Sequence, residues 1–213
     1  MTGFIVAMPS EMDALRKVFG EADCRCALSG VGKVNAARCA TELILEHHPD
    51  CIINSGFTGA LAPGVKVGDI VVATEVAHHD VWHGEGNVPG QAQGEPLRFN
   101  ADGFLLKKAE TALRSFKTGH PDTGVHFGLI ATGDQFFISP EEDGRILGLY
   151  PDALSSDMES ASIAQVCRHF GVPFLCIRVV SDVHTSSLAQ RASYESSVES
   201  ADCDSFSFLK YFI

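Results

Sequence analysis

The sequence predicts an α/β protein: a three-layer α/β/α architecture with a mostly parallel, mixed sheet flanked by helices. Short apolar, β-rich runs alternate with helical patterns from one end of the chain to the other. The strand candidates read as continuous apolar runs, the pattern of strands covered on both faces. At 213 residues, with 45% hydrophobic and 20% charged content, the chain suits one well-filled domain spanning 1–213. No internal repeat, low-complexity tract or linker-like shift in composition divides it.

The elements follow in order. "GFIVAM" is a strand, and "SEMDALRKVF" a helix with Ser10 as its candidate N-cap. "CRCALS" is a short strand. "SGVGK" lacks the GxxxxGK[ST] spacing of a phosphate loop, so it reads as a tight turn into a helix over Lys33 to His48. "CIINSG", "VGDIVVATEVAHH" and "GVHFGLIATGD" are further strands, and the Gly- and Gln-rich "HGEGNVPGQAQGEP" around 83–96 is the one long loop. "SDMESASIAQV" opens a helix at Asp157 that stops at Gly171-Val172-Pro173, a Gly stop with Pro just beyond. "PFLCIRVVSD" is the last strong strand.

Composition narrows the function classes. A net charge of −11 argues against a nucleic-acid partner, which needs a cationic footprint. The seven cysteines are odd in number and scattered, with no CxxC pair, which points to free thiols in a reducing cytoplasm. The start "MTGFIVAMPSEMDAL" lacks the basic region of a signal peptide, and no apolar run reaches membrane-spanning length. His78, His79 and His83 near Asp80 form no recognised metal-binding pattern.

In an open α/β sheet, ligands bind outside the carboxyl ends of the strands. Those ends carry Glu11, Glu159 and Asp182, the adjacent aromatics Phe136 and Phe137, and the Gly-flanked "NSGFTGA". Each has a plainer reading. Glu11 and Glu159 suit the first turn of a helix; Asp182 suits a cap, and the two phenylalanines suit a core. Glu159 poses the question sharply, because a carboxylate there either caps a helix or waits for a substrate.

The ordered segments "AMPSEMDAL", "SGVGKVNAA", "INSGFTGAL", "VGDIVVA", "TGDQF", "DMESASIAQVC" and "RVVSDV" take the reading further. Together, over nearly the whole chain, they resemble the 5′-methylthioadenosine/S-adenosylhomocysteine nucleosidases of the nucleoside phosphorylase superfamily. The resemblance implies a purine nucleosidase, an N-ribosyl hydrolase active in methionine salvage and nucleoside catabolism. It implies a homodimer with no metal or organic cofactor and a small adenine nucleoside as partner. Asp182 then protonates the purine at N7, with Ser181 orienting it and Arg178 in support. Glu11 holds and activates the attacking water. Phe136 stacks on the base, and Phe137 holds it through its backbone. Met158 and Glu159 contact the ribose, and Met8, Val31 and Tyr194 line the 5′-alkylthio pocket.

These residue types suit the chemistry. Breaking an N-glycosidic bond places positive charge on the sugar and negative charge on the departing purine, so an acid near N7 and a carboxylate steering water both lower the barrier. Two departures stand out. The chain between Glu11 and Ser29 is short, which predicts a reduced sheet edge. Phe57 occupies a position where the family commonly has a small hydroxyl residue, leaving Ser55 or Thr58 to compensate. Three rival readings remain at this point: a phosphorylase using phosphate, a hydrolase of futalosine or aminodeoxyfutalosine, and a non-catalytic nucleoside-binding protein.

Overall fold

The computed structural model describes residues 1–20, 24–136, 140–183, 192–197 and 206–213. The first half contains β1 (Thr2–Val6), α1 (Pro9–Phe19), β2 (Cys24–Leu28), α2 (Lys33–His47), β3 (Cys51–Ala60), β4 (Ile70–His78), β5 (Phe99–Asn100) and α3 (Gly103–Gly119). The second contains β6 (Val125–Thr132), α4 (Pro140–Leu149), β7 (Ala153–Asp157), α5 (Ser160–Phe170), β8 (Phe174–Val183) and a C-terminal 3-10 turn (Ser207–Phe212).

Alternation along the strands builds the layers, because successive side chains point to opposite faces. Phe4, Ile53, Val72 and Ile177 join one core with α1, α3 and the C-terminal turn. Ile5, Ile52, Val71 and Cys176 join another with α2 and α5. The α/β/α arrangement therefore follows from apolar strands that have a helix to meet on either side. A third, smaller core packs Ile146 and Tyr150 of α4 onto Ala77, Leu129 and Ala153.

The sheet is mixed and largely parallel. β1 lies parallel to β2 and β3, β3 parallel to β8, and β6 parallel to β4 and β7. β8 runs antiparallel to β4, and β7 closes antiparallel onto β3 at Gly59–Ser156 and Ala60–Ser155. The strands β3, β8, β4, β6 and β7 thus form a closed ring, with β1 and β2 extending from β3 and β5 from β4. Closure is a feature that periodicity does not predict. β2 and β5 lie at the two ends of the strand order.

Three boundaries differ from the sequence expectation. Helix α1 begins at Pro9 with Met8 as N-cap, so Ser10 lies inside the helix. Proline is tolerated there because the first amides of a helix have no intrahelical acceptor. Strand β3 continues past "CIINSG" to Ala60. Residues 153–157 form β7, so α5 starts at Ser160, three residues after the predicted Asp157. The predicted stop holds, with Gly171 in the left-handed conformation. Helix α3 was not among the predicted elements, although Asp102 caps it by accepting from the amides of Phe104 and Leu105 at 2.9 and 3.0 Å. The five described cysteines among 26, 39, 51, 167 and 176 are free thiols.

The buried Asp69 ties the start of β4 to that of β6. Its carboxylate accepts from the amides of Lys66 (3.0 Å) and Gly124 (2.8 Å) and bonds the His126 ring (2.8 Å). Burial pushes its pKa up, but the His126 bond and the two amides outweigh that and hold it below the ordinary value. A Cβ on Gly124 would fall 2.6 Å from the carboxylate atoms. Gly124→Ala is expected to lower stability by about 1–3 kcal/mol, measured by urea unfolding at neutral pH. Because the folded-state pKa is depressed, the wild-type advantage should be complete above about pH 4 and fade as the pH falls further. Equal midpoints at neutral pH would remove this staple from the account.

Candidate active site

The turn into α1 and the bend of β3 hold Glu11 between them. Its Oε2 accepts from the amides of Ala7 (2.8 Å) and Met8 (2.9 Å), and its Oε1 from the amide of Phe57 (2.8 Å). Gly56 makes this possible. Its φ is +132°, and a Cβ there would lie 2.4 Å from Oε1, so the carboxylate occupies the space that any side chain would fill. Burial pushes the Glu11 pKa up; the charge of Arg178 and the amides of Phe57, Met8 and Ala7 pull it back only in part.

Arg178 lies in the middle of β8, beside Gly56 of β3, and is 1% exposed. A guanidinium this buried must be paired and hydrogen-bonded. Nη1 donates to the Phe57 carbonyl (3.0 Å), and Nη2 to Asn54 Oδ1 (2.8 Å) and Glu159 Oε2 (3.1 Å). Nε forms an ion pair with Asp157 Oδ2 at 2.9 Å.

Glu159 is the N-cap residue of α5 by position, yet its side chain makes no capping bond. Its Oε1 instead accepts from the amide of Gly32 at 3.0 Å, 127 residues away in sequence. Asp157 faces the helix start: its Oδ1 lies 3.4 and 3.3 Å from the amides of Glu159 and Ser160 and accepts from Thr132 Oγ1 at 2.6 Å. Burial, reinforced by the Asp157 and Glu11 charges and opposed by Arg178, raises the Glu159 pKa above the usual carboxylate range. The carboxylate is turned to the cleft side of its own helix.

At the end of β8, Ser181 Oγ donates to Asp182 Oδ1 at 2.6 Å, and both residues are buried. The Ser181 carbonyl accepts from Ser193 and Ser197 (3.1 and 2.7 Å), docking the helical residues 192–197 on this strand end. That docking brings Tyr194 to the site. Its hydroxyl meets Met8 Sδ at 2.8 Å, and its ring meets the half-exposed Phe136 edge-on, with centroids 4.8 Å apart at 75°.

These groups border one open cleft, lined by Met8, Glu11, Val31, Phe57, Phe136, Met158, Glu159, Arg178, Ser181, Asp182 and Tyr194. Phe137 lies outside the described residues. Ala7, Thr58, Gly59 and Asp157 line the cleft without having been singled out from the sequence. Phe57 borders it, but its ring packs in the core against Phe206 at 5.5 Å, so its backbone amide and carbonyl make the polar contacts. Ser55 does not compensate for the missing hydroxyl, since its Oγ donates to the Ile177 carbonyl (2.8 Å) away from the cleft. Thr58 does line the cleft, with its hydroxyl on the Ser156 carbonyl at 2.7 Å.

Two of the histidines near Asp80 face separate partners: His78 meets Gln165 at 3.2 Å, and His83 Nε2 accepts from the amide of Gln93 at 3.0 Å. Among the described residues, no group of three or more His, Cys, Asp and Glu side chains is arranged to hold a metal ion. The cleft is suited to acid–base work, with one carboxyl gripped by amides, another by a serine, and a third beside an arginine.

Comparison with known proteins identifies the family. Residues 9–213 match the model of the Phosphorylase superfamily. A 5′-methylthioadenosine/S-adenosylhomocysteine nucleosidase from Anoxybacillus flavithermus is 46% identical over 156 residues, 73% of this chain and 66% of that protein. One from Geobacillus thermodenitrificans is 40% identical over 174 residues, 81% of this chain and 71% of that protein. The chain thus spans about two thirds of the length of the curated relatives it matches. Among solved structures, the Neisseria meningitidis nucleosidase in complex with methylthio-immucillin-A superposes with a TM-score of 0.89 at 36% identity, covering 99% of this chain and 96% of that one. The Streptococcus pneumoniae nucleosidase with a transition-state inhibitor gives 0.88 at 30% identity, covering 99% and 97%.

Replacing Arg178 tests the electrostatics directly. Arg178→Met leaves Asp157 and Glu159 buried without their cation, and a loss of about 3–5 kcal/mol is expected from unfolding curves at pH 8. Glu159, which Arg178 now holds down in part, should titrate higher in the folded state without it, so the deficit should shrink as pH falls toward 5. A deficit that ignores pH would mean that the carboxylates do not depend on this arginine.

Proposed function

From the chain's membership of the 5′-methylthioadenosine/S-adenosylhomocysteine nucleosidases, within the phosphorylase superfamily, we propose that it hydrolyses the N-glycosidic bond of both nucleosides and releases adenine. The observation that carries this reading is that Glu11 and Asp182, both buried, line the same cavity. Counting acceptor sites supports their roles. A carboxylate offers about four lone-pair positions. Three on Glu11 are engaged by amides, which leaves one on Oε1 for a water proton. Glu159 has one position on each oxygen engaged, by Gly32 and by Arg178, which leaves two for the ribose hydroxyls.

In this mechanism the purine lies against Phe136, and Ser181 holds one Asp182 oxygen so that the protonated carboxyl faces N7. As the C1′–N9 bond breaks, its electron pair passes to the purine and Asp182 delivers a proton at N7. Water adds to C1′ and gives its proton to Glu11, whose raised pKa makes it the stronger base. The products are adenine and a 5-thio-substituted ribose. Phosphate has no obvious place here. Among the described residues lining the cleft, Arg178 is the sole cation, and its contacts go to Phe57, Asn54, Asp157 and Glu159.

The reading extends to residues 1–213 acting as one nucleosidase domain in the cytoplasm, in methionine salvage, as a homodimer. No helix among the described residues is long and apolar enough to cross a membrane.

Adenine release from methylthioadenosine, followed for wild type, Asp182→Asn and Glu11→Gln, tests the chemistry. Each variant is expected to lose about 10²–10⁴-fold in kcat with the fold intact. The wild-type rate should not depend on added phosphate. kcat/KM should decline at low pH, at a point above the ordinary glutamate value of about 4.3, as Glu11 takes up a proton. An active Asp182→Asn enzyme, or strict dependence on phosphate, would defeat the mechanism.

A further inference from the structure

The turn before α2 brings Val31 and the Gly32 amide to the cleft, and it is built on soft backbone. Gly30 and Gly32 have φ of +82° and +97°. Its position is set from behind by three residues on three separate segments. The Lys33 amide donates to Asp134 Oδ1 at 2.8 Å, and the Asp134 amide donates to Asp80 Oδ2 at 2.8 Å. Lys33 Nζ closes the circuit on Asp80 Oδ1 at 2.5 Å and lies 4.0 Å from Asp134 Oδ2. The Lys33 and Asp80 side chains are 19% and 17% exposed, so this pair is shielded, unlike an ordinary surface salt bridge. Gly32 is packed into the bracket as well, since a Cβ there would come 3.0 Å from Asp134 Oδ1.

The consequence runs through a single peptide. The residue immediately before Lys33 donates its amide to Glu159 Oε1 at 3.0 Å. Glu159 is otherwise held by Arg178 on its other oxygen, so the Gly32 amide fixes the rotation of the carboxylate about its own axis. We propose that Lys33, with Asp80 and Asp134, is a positioning residue for sugar recognition: it clamps the 30–32 turn so that the Gly32 amide aims Glu159 at the ribose. This rests on the nucleosidase reading above. It adds a cation that does not itself line the cleft. Removing the ammonium leaves Asp80 and Asp134 facing one another without a counter-ion. The two carboxylates then repel, the turn loses its anchor, and Glu159 loses the donor that aligns it.

A clamp of this kind acts on binding of the sugar more than on proton transfer, and that separates it from a general structural role. Steady-state kinetics with methylthioadenosine and equilibrium binding of the unreactive analogue methylthio-immucillin-A are measured for wild type, Lys33→Met, Lys33→Arg, Glu159→Gln and the Lys33→Met/Glu159→Gln double variant. Lys33→Met is expected to raise KM and Kd roughly tenfold, the scale of one charge-assisted hydrogen bond, with kcat changed by less than about threefold. Lys33→Arg should restore most of the loss. The double variant should bind about as weakly as Glu159→Gln alone, because both changes act on one contact. Losses that multiply in the double variant, or a fall in kcat with KM unchanged, would overturn the proposal. Should circular dichroism show Lys33→Met unfolded, Asp134→Ala removes the acceptor of the Lys33 amide at a more exposed position. The same rise in KM and Kd is expected there, and unaltered values would reject the clamp. A wild-type protein that releases no adenine would instead sink the nucleosidase reading, and the Kd series would still decide the clamp.

Discussion

The structure depends on one buried cation. Arg178 lies in a strand whose neighbours are Ile177 and Val179, and water does not reach it. A charge in that position is tolerable only if groups from elsewhere in the fold come to it. They come from Asn54 and Phe57 of β3, from Asp157 at the end of β7, and from Glu159 at the head of α5. The arginine therefore does two things at once. It locks together segments that are far apart in sequence, and it makes it possible for carboxylates to remain buried beside a cleft. Its field also reaches Glu11, where it partly offsets the effect of burial.

Backbone amides do a large share of the aiming. Glu11 is held by three of them and Glu159 by one, and none carries a side-chain identity that a sequence pattern would display. Such donors are preorganised by the fold and do not have to reorient when a ligand arrives. The cost is conformational: the chain must bring amides close to a carboxylate, and at Gly56 this works only because no Cβ stands in the way.

The sequence makes the layers and the rim legible, because both rest on local signals. Apolar runs in alternation with helical patterns predict covered strands, and Glu11, Glu159 and Asp182 fall at strand ends that converge. The closed ring was not legible, since the β3–β7 contact involves only two residue pairs around Gly59 and Ala60. Nor was β7 itself, because "ALSSD" is too polar to resemble a strand. The role of Asp157 was hidden by the same error, which read the residue as a helix start. One clue was available: an arginine inside "LCIRVV" demands buried partners, and the acids of "SDMES" are the natural ones. The Phe57 side chain could not be assigned from the sequence, because nothing local says that a cleft residue contributes its peptide group while its ring belongs to the core.

Closure of the strand ring also limits how the cavity can adapt. The ends of β3, β7 and β8, which carry the polar floor, are joined through the ring and cannot part without breaking hydrogen-bonded ladders. Breathing motions that widen an open sheet at its margin have no counterpart here. Accommodation of a bulkier group must come from the outer wall, where Tyr194 sits on a short docked segment, because the turn that carries Val31 is bracketed by Lys33, Asp80 and Asp134. The molecule thus divides into an unyielding base that meets the reacting atoms and a pliable lip that can vary with what hangs from them.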